Sequence, residues 1–89
     1  MKKEGAILSK SYDFSLEIIK QYDNIRIEKK EFTLSKQLVR CGTSIEANAN
    51  EAQHAESRAD FIHKLAISQK ECIETEYWLN LLKDSHYLK

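Results

Sequence analysis

Two histidines follow carboxylates at a spacing of three, in Glu51-x-x-His54 and Asp60-x-x-His63. Carboxylate-bridged metal pairs in helical bundles use Glu-x-x-His on two helices, so this spacing raises the question of a di-metal site. Projection at 100° per residue turns both imidazoles away from the apolar arc of their helices. The first helix also offers no carboxylate between Gly5 and Tyr12, where one would have to stand. The expectation is two solvated histidines at a turn, with no metal and no cofactor. The two cysteines, Cys41 and Cys72, carry a different chemistry. With a turn near Ser57, an antiparallel hairpin sets them at one level, both toward the core. Packed helix axes lie about 8–10 Å apart while a disulfide needs Cα atoms within ~7 Å, so a bridge would be tight. Two reduced thiols packing as small hydrophobes are expected, with a redox or disulfide role as the alternative. No C-x-x-C occurs, which removes a zinc knuckle.

Arg40, Ser44, Asn48 and Glu51 form a polar stripe along one flank of a helix that is otherwise filled by small residues, among them Gly42, Ala47, Ala49, Ala52 and Ala55. The hairpin pairing sets Arg40 level with Glu74, and Asn48 level with Tyr12 of the first helix. Three readings compete: a solvated edge, a hydrogen-bonded network that sets helix register, and a ligand or catalytic site. Small neighbours permit close approach, which leaves little water for Asn48 and favours the network, since buried polar groups need partners. Hydrolytic chemistry would need a base beside a nucleophile, and no histidine projects from the stripe.

These side chains must be carried by helices, because no segment shows a sustained alternation of period two. The apolar periodicity predicts helices over about 5–25, 33–55 and 58–83, joined by short links. Thr33 is the expected N-cap of the second helix, and Ser57 with Asp60 resembles a capping box at the third. Short links make successive helices antiparallel neighbours, so the fold class is all-α: one antiparallel up-down bundle spanning residues 1–89. On the first helix Leu8, Tyr12, Ser15, Leu16, Ile19 and Tyr22 form the expected core face, and Ile7, Phe14, Ile18 and Ile25 form a second stripe. On the second, Leu34, Leu38, Cys41, Ile45, Ala49 and Ala52 share one side. On the third, the apolar arc from Phe61 to Leu82 includes Ile62, Leu65, Ala66, Ile73, Tyr77 and Leu79, with Ile67, Trp78 and Leu81 outside it. A helix in a small bundle needs an apolar stripe only a little wider than about 100°. The surplus is either scattered surface hydrophobes or a contact with a further helix or subunit, expected to use Ile7, Phe14, Ile18, Ile25, Trp78 and Leu81.

Composition narrows the function classes. The 89 residues carry 14 basic and 14 acidic side chains, a formal net charge of zero. That balance gives no support to a dedicated nucleic-acid binder. Lys29, Lys30 and Lys36 are the residues that would meet RNA, although Glu28 and Glu31 are interleaved with them. A chain this short buries only about 60–65% of its unfolded surface, so association would help it. The apolar runs are too short to span a bilayer, and Lys10 and Asp13 interrupt any leader-like core. No membrane contact is expected, and the cytoplasm is the default compartment.

QLVRCGTSIEANANEA and AESRADFIHKLAISQKECIETEYWLNLL carry a resemblance. They are similar to a small bacterial family of four-helix-bundle proteins, which includes proteins encoded within intervening sequences of 23S ribosomal RNA genes. That family is in turn similar to accessory proteins of diversity-generating retroelements. The resemblance runs from about Ile7 to Leu88 and is most specific at Ser44–Asn48, Glu51–Ala52 and Glu74–Leu79. It implies a self-associating, non-enzymatic scaffold, with rings of five subunits among relatives, and an RNA or protein partner. The alternative is a nucleic-acid-binding accessory module acting with a ribonucleoprotein or reverse transcriptase. Such proteins usually continue past Tyr87–Leu88 into a fourth helix, whereas this sequence stops at Lys89; either the chain is truncated there or a neighbour supplies the missing surface.

Overall fold

A computed structural model describes residues 3–88, with their side chains from Ser9 onward. Among these residues there are three helices and no strand: α1 (Lys3–Glu28), α2 (Thr33–Ala52) and α3 (Arg58–Asp84). α2 is central. Both α1 and α3 pack on it, while among the described residues the backbones of α1 and α3 do not come close to one another. The result is the expected antiparallel three-helix arrangement with α2 in the middle, and the described residues extend over 43 × 21 × 16 Å.

Helix ends follow from their local chemistry. Thr33 is the first residue of α2 rather than its cap; Phe32 precedes the helix and contributes no side-chain bond. The Glu31 carboxylate takes that role, accepting from the backbone N–H groups of Thr33, Leu34 and Ser35 at 3.1, 2.9 and 2.8 Å. A carboxylate satisfies three orphan donors at once and complements the helix dipole, which a threonine hydroxyl cannot match. At α3, Ser57 Oγ accepts from the Asp60 N–H at 3.0 Å, and the Asp60 carboxylate accepts from the Glu56 N–H at 3.3 Å. α3 ends in a Schellman motif. His86 takes a positive φ of 70°, and the N–H groups of His86 and Tyr87 reach the Lys83 and Leu82 carbonyls at 3.0 and 2.8 Å. That turn folds Tyr87 and Leu88 back over the core cluster of Ile18, Ile25, Leu38 and Leu82.

The packed faces correct two expectations. On α1 the core is made by Ser15, Ile18 and Ile25, while Tyr12, Leu16 and Ile19 are exposed. Both α1 stripes are apolar, and projection alone cannot say which one meets the neighbour. Close approach at Gly42 decides it, because that glycine admits Ile18. On α3 the residues that meet α2 are Ser68, Thr75 and Leu82, spaced by seven, while Phe61, Ile62, Leu65, Ile73 and Tyr77 are exposed. A face built from serine and threonine is invisible to a count of apolar residues. Cys72, expected toward the core, is exposed; Cys41 is buried. α2 buries Leu38, Cys41, Ala49 and Ala52 on the expected side.

Candidate functional site

The α2–α3 seam sets the register. Ser68 Oγ donates to the Ile45 carbonyl at 2.8 Å, Lys64 Nζ donates to Glu51 at 2.7 Å, and Arg40 donates to Glu74. These pairs all join positions whose numbers sum to 113–115, as antiparallel neighbours must. Arg40 also lies 3.6 Å from Glu71 and hydrogen-bonds Gln37 at 3.3 Å. Trp78 Nε1 donates to the same Glu74 carboxylate at 3.3 Å. One arginine thus meets two glutamates at the edge of the seam. Its side chain is half exposed, so water screens the pair and its contribution is at most about 1 kcal/mol.

Asn48 Nδ2 donates to the Ser44 carbonyl at 2.9 Å and to Ser44 Oγ at 3.0 Å, both within α2. Asn48 is therefore satisfied one turn back on its own helix and is not joined to Tyr12, which is 57% exposed. The structure brings Arg40 to Glu74 and Asn48 to Ser44, links Glu51 to Lys64, and leaves Tyr12 outside. Sequence reasoning missed Lys64, Ser68, Glu71 and Thr75. The signal was present: each stands on α3 within one turn of the level that the hairpin pairing assigns to its α2 neighbour.

Cys41 lies under this seam. Burial pushes its thiol upward, with Glu74 adding to the rise, while a hydrogen bond from Thr75 and the charge of Arg40 oppose it. A protonated buried thiol is a poor nucleophile. Lys64 is raised by its hydrogen bond and ion pair with Glu51. Each member of the stripe has a structural partner, and among the described residues no group of three or more His, Cys, Asp or Glu is placed to hold a metal. His54 and His63 are both exposed.

The larger feature is a groove of about 620 Å³ between α1 and α3. Phe14, Ile18 and Ile25 form one wall, and Leu79, Tyr87 and Leu88 the other. Glu17, Gln21, Asn24 and Glu28 run along the α1 rim at helical spacing. A second, smaller pocket of about 260 Å³ is lined by Lys10, Ser11, Phe14, Ile45 and Cys72. Of the residues expected to mediate association, Phe14 is exposed on this groove, whereas Ile18 and Ile25 belong to the core and are 2% and 1% exposed. Trp78 and Leu81 are half-buried. Ile7 lies outside the residues whose side chains are described. Lys29, Lys30 and Lys36 are exposed near the α1–α2 link.

No helix among the described residues is long and apolar enough to cross a membrane. Residues 3–89 match the family model described as 23S rRNA-intervening sequence protein. The chain is also similar to the crystal structure of a protein with unknown function from the S23 ribosomal protein family of Bacteroides thetaiotaomicron VPI-5482. The TM-score is 0.95 and the identity 49%, over 98% of this chain and 78% of that one. No curated protein matches it.

Proposed function

The chain belongs to the 23S rRNA-intervening sequence protein family, and from that premise we propose that it is a non-enzymatic, self-associating helical scaffold of the cytoplasm. One observation carries this reading. Among the described residues eleven large apolar side chains are exposed, including Tyr12, Leu16, Ile27, Ile62, Ile73 and Tyr77 at 50–64%. All but Phe32, which stands in the α1–α2 link, lie on α1 and α3, and apolar surface gathered in this way marks an interaction site. Light scattering at micromolar concentration tests the reading. An oligomer is expected; a strict monomer at every concentration rejects it.

A second reading is supported by position. Lys29, Lys30 and Lys36 stand exposed at the α1–α2 link, and the antiparallel course of the helices brings Lys83, in the last turn of α3, to the same end. Assembly would multiply these cations along one rim and let the scaffold engage RNA. Filter binding of structured RNA across a salt series tests it, because phosphate contacts weaken steeply with salt. No binding at low salt ends the idea.

A further inference from the structure

We propose, resting on the reading that the scaffold engages RNA, that the α1–α2 link is a stacking platform for an unpaired polynucleotide strand, with the Phe32 ring taking a base and the lysines around it the phosphates. Phe32 is the exposed large apolar residue that the faces of α1 and α3 do not account for: it stands in the link and is 57% exposed. It contributes no side-chain bond to the start of α2. A ring held in water on a short link offers a free π-face, and base stacking on such a face is a recurring means of holding single strands. Lys36 is exposed one helical turn beyond Phe32 on the same side, and Lys29 and Lys30 are exposed immediately before it. The α2–α3 register adds a fourth lysine. Residues paired across that seam have numbers summing to 113–115, Ile45 with Ser68 and Glu51 with Lys64 among them, so the exposed Lys83 stands level with residues 30–32.

The interleaved acids do not cancel these cations. Both carboxylate oxygens of Glu31 are committed to the backbone N–H groups of Thr33, Leu34 and Ser35. That charge is directed into the start of α2 and offset by the helix dipole. Asp23 is paired with Arg26 at 3.0 Å. Among the described residues, Glu28 and Asp84 are the acids left at this end, against Lys29, Lys30, Lys36 and Lys83. A chain of zero formal net charge thus concentrates positive charge around the exposed aromatic of its link. Lysines alone would take any polyanion; the ring adds a demand for an open base face. A duplex keeps its bases stacked on one another, so an unpaired strand is the form this platform selects.

The test uses the full 89-residue chain with a short oligouridine, an oligothymidine of equal length, and the oligouridine annealed to its complement. Fluorescence anisotropy should show tighter binding of unpaired strand than of duplex, and the first two probes tell RNA from DNA. Phe32→Leu keeps the apolar bulk and removes the ring; it should weaken strand binding roughly 5- to 100-fold with helicity unchanged. Phe32→Trp should keep the binding, and the strand should quench its emission while leaving that of the wild-type Trp78 as it was. Lys30 holds a positive φ of 57°, which suits glycine. Lys30→Gly should therefore raise the melting temperature and yet weaken binding, lowering the salt slope by about 0.7. Binding indifferent to Phe32→Leu, or equal for duplex and strand, overturns the platform and leaves RNA binding by the lysines standing. Capture by phosphatidylglycerol vesicles in place of the strands assigns the lysines to a membrane surface and overturns it as well. No binding of any probe at low salt overturns both the platform and the RNA reading.

Discussion

Gly42 of α2 lies directly against Ile18 of α1: a Cβ built on the glycine would stand 2.8 Å from Ile18 Cγ2 and 3.1 Å from Cγ1. Those atoms sit on the stiff, branched carbon of a buried side chain and have little room to swing away. Gly42→Ala gains up to about 1 kcal/mol of helix propensity and meets an overpacking cost of about 1–3 kcal/mol. A net loss of about 1 kcal/mol is expected in urea denaturation. Ile18→Leu removes the offending branch, so the double variant should be less destabilised than the sum of the two singles. Additivity would show that the contact does not set the α1–α2 distance.

The choice between the two stripes of α1 and α3 is directly testable. Ile25 is 1% exposed and Ile73 is 64% exposed. Ile25→Ala should cost about 2–5 kcal/mol through transfer and cavity terms. Ile73→Asp should leave helicity and monomer stability within about 0.5 kcal/mol while lowering self-association. Circular dichroism with light scattering separates these outcomes, and comparable unfolding by both variants would contradict the assignment of faces.

The two thiols should differ in kind. Cys72 is exposed and should react promptly with a thiol reagent, whereas the buried Cys41 should react only after unfolding. Because the folded state raises the Cys41 thiol above its ordinary 9.0, the unfolded chain ionises first as pH rises. Stability from this group is therefore intact below about pH 9 and is lost above it, through the folded value. Cys41→Ala should flatten the alkaline slope of the melting temperature, though at a cost in packing. An unchanged slope would place the alkaline loss elsewhere.

His86 holds a left-handed conformation, φ 70°, at the end of α3. That region disfavours side chains with a Cβ and suits glycine. His86→Gly should raise stability by roughly 0.5–1 kcal/mol, read as an upward shift of the melting temperature. A loss instead would mean that the imidazole makes contacts worth more than the relief of strain.

Much of this molecule was legible from residue order. Three helices, their antiparallel course and the hairpin register all follow from periodicity, turn chemistry and short links. The cap at Ser57 with Asp60 is equally local, a matter of a few consecutive residues. The start of α2 was less so, because the Glu31 carboxylate reaches past Thr33 to three N–H groups at once. The site was legible only in pieces. Arg40, Ser44, Asn48 and Glu51 stood out as a polar stripe, but Asn48 turned back to its own helix while Glu71 and Lys64 supplied the partners across the seam.

Residue order settles the local features: where each helix runs, which residues can cap it, and that α1 and α3 are apolar on more than one side. Tertiary structure alone decided which side is buried. Hydrophobicity has no direction, so two apolar stripes on one helix are equivalent until a neighbour approaches. The Gly42 notch admitted Ile18, and the small Ser68 and Thr75 let α3 come close to α2. Shape complementarity then buried Ile25 and Leu82 and left Tyr12, Ile62, Ile73 and Tyr77 facing outward.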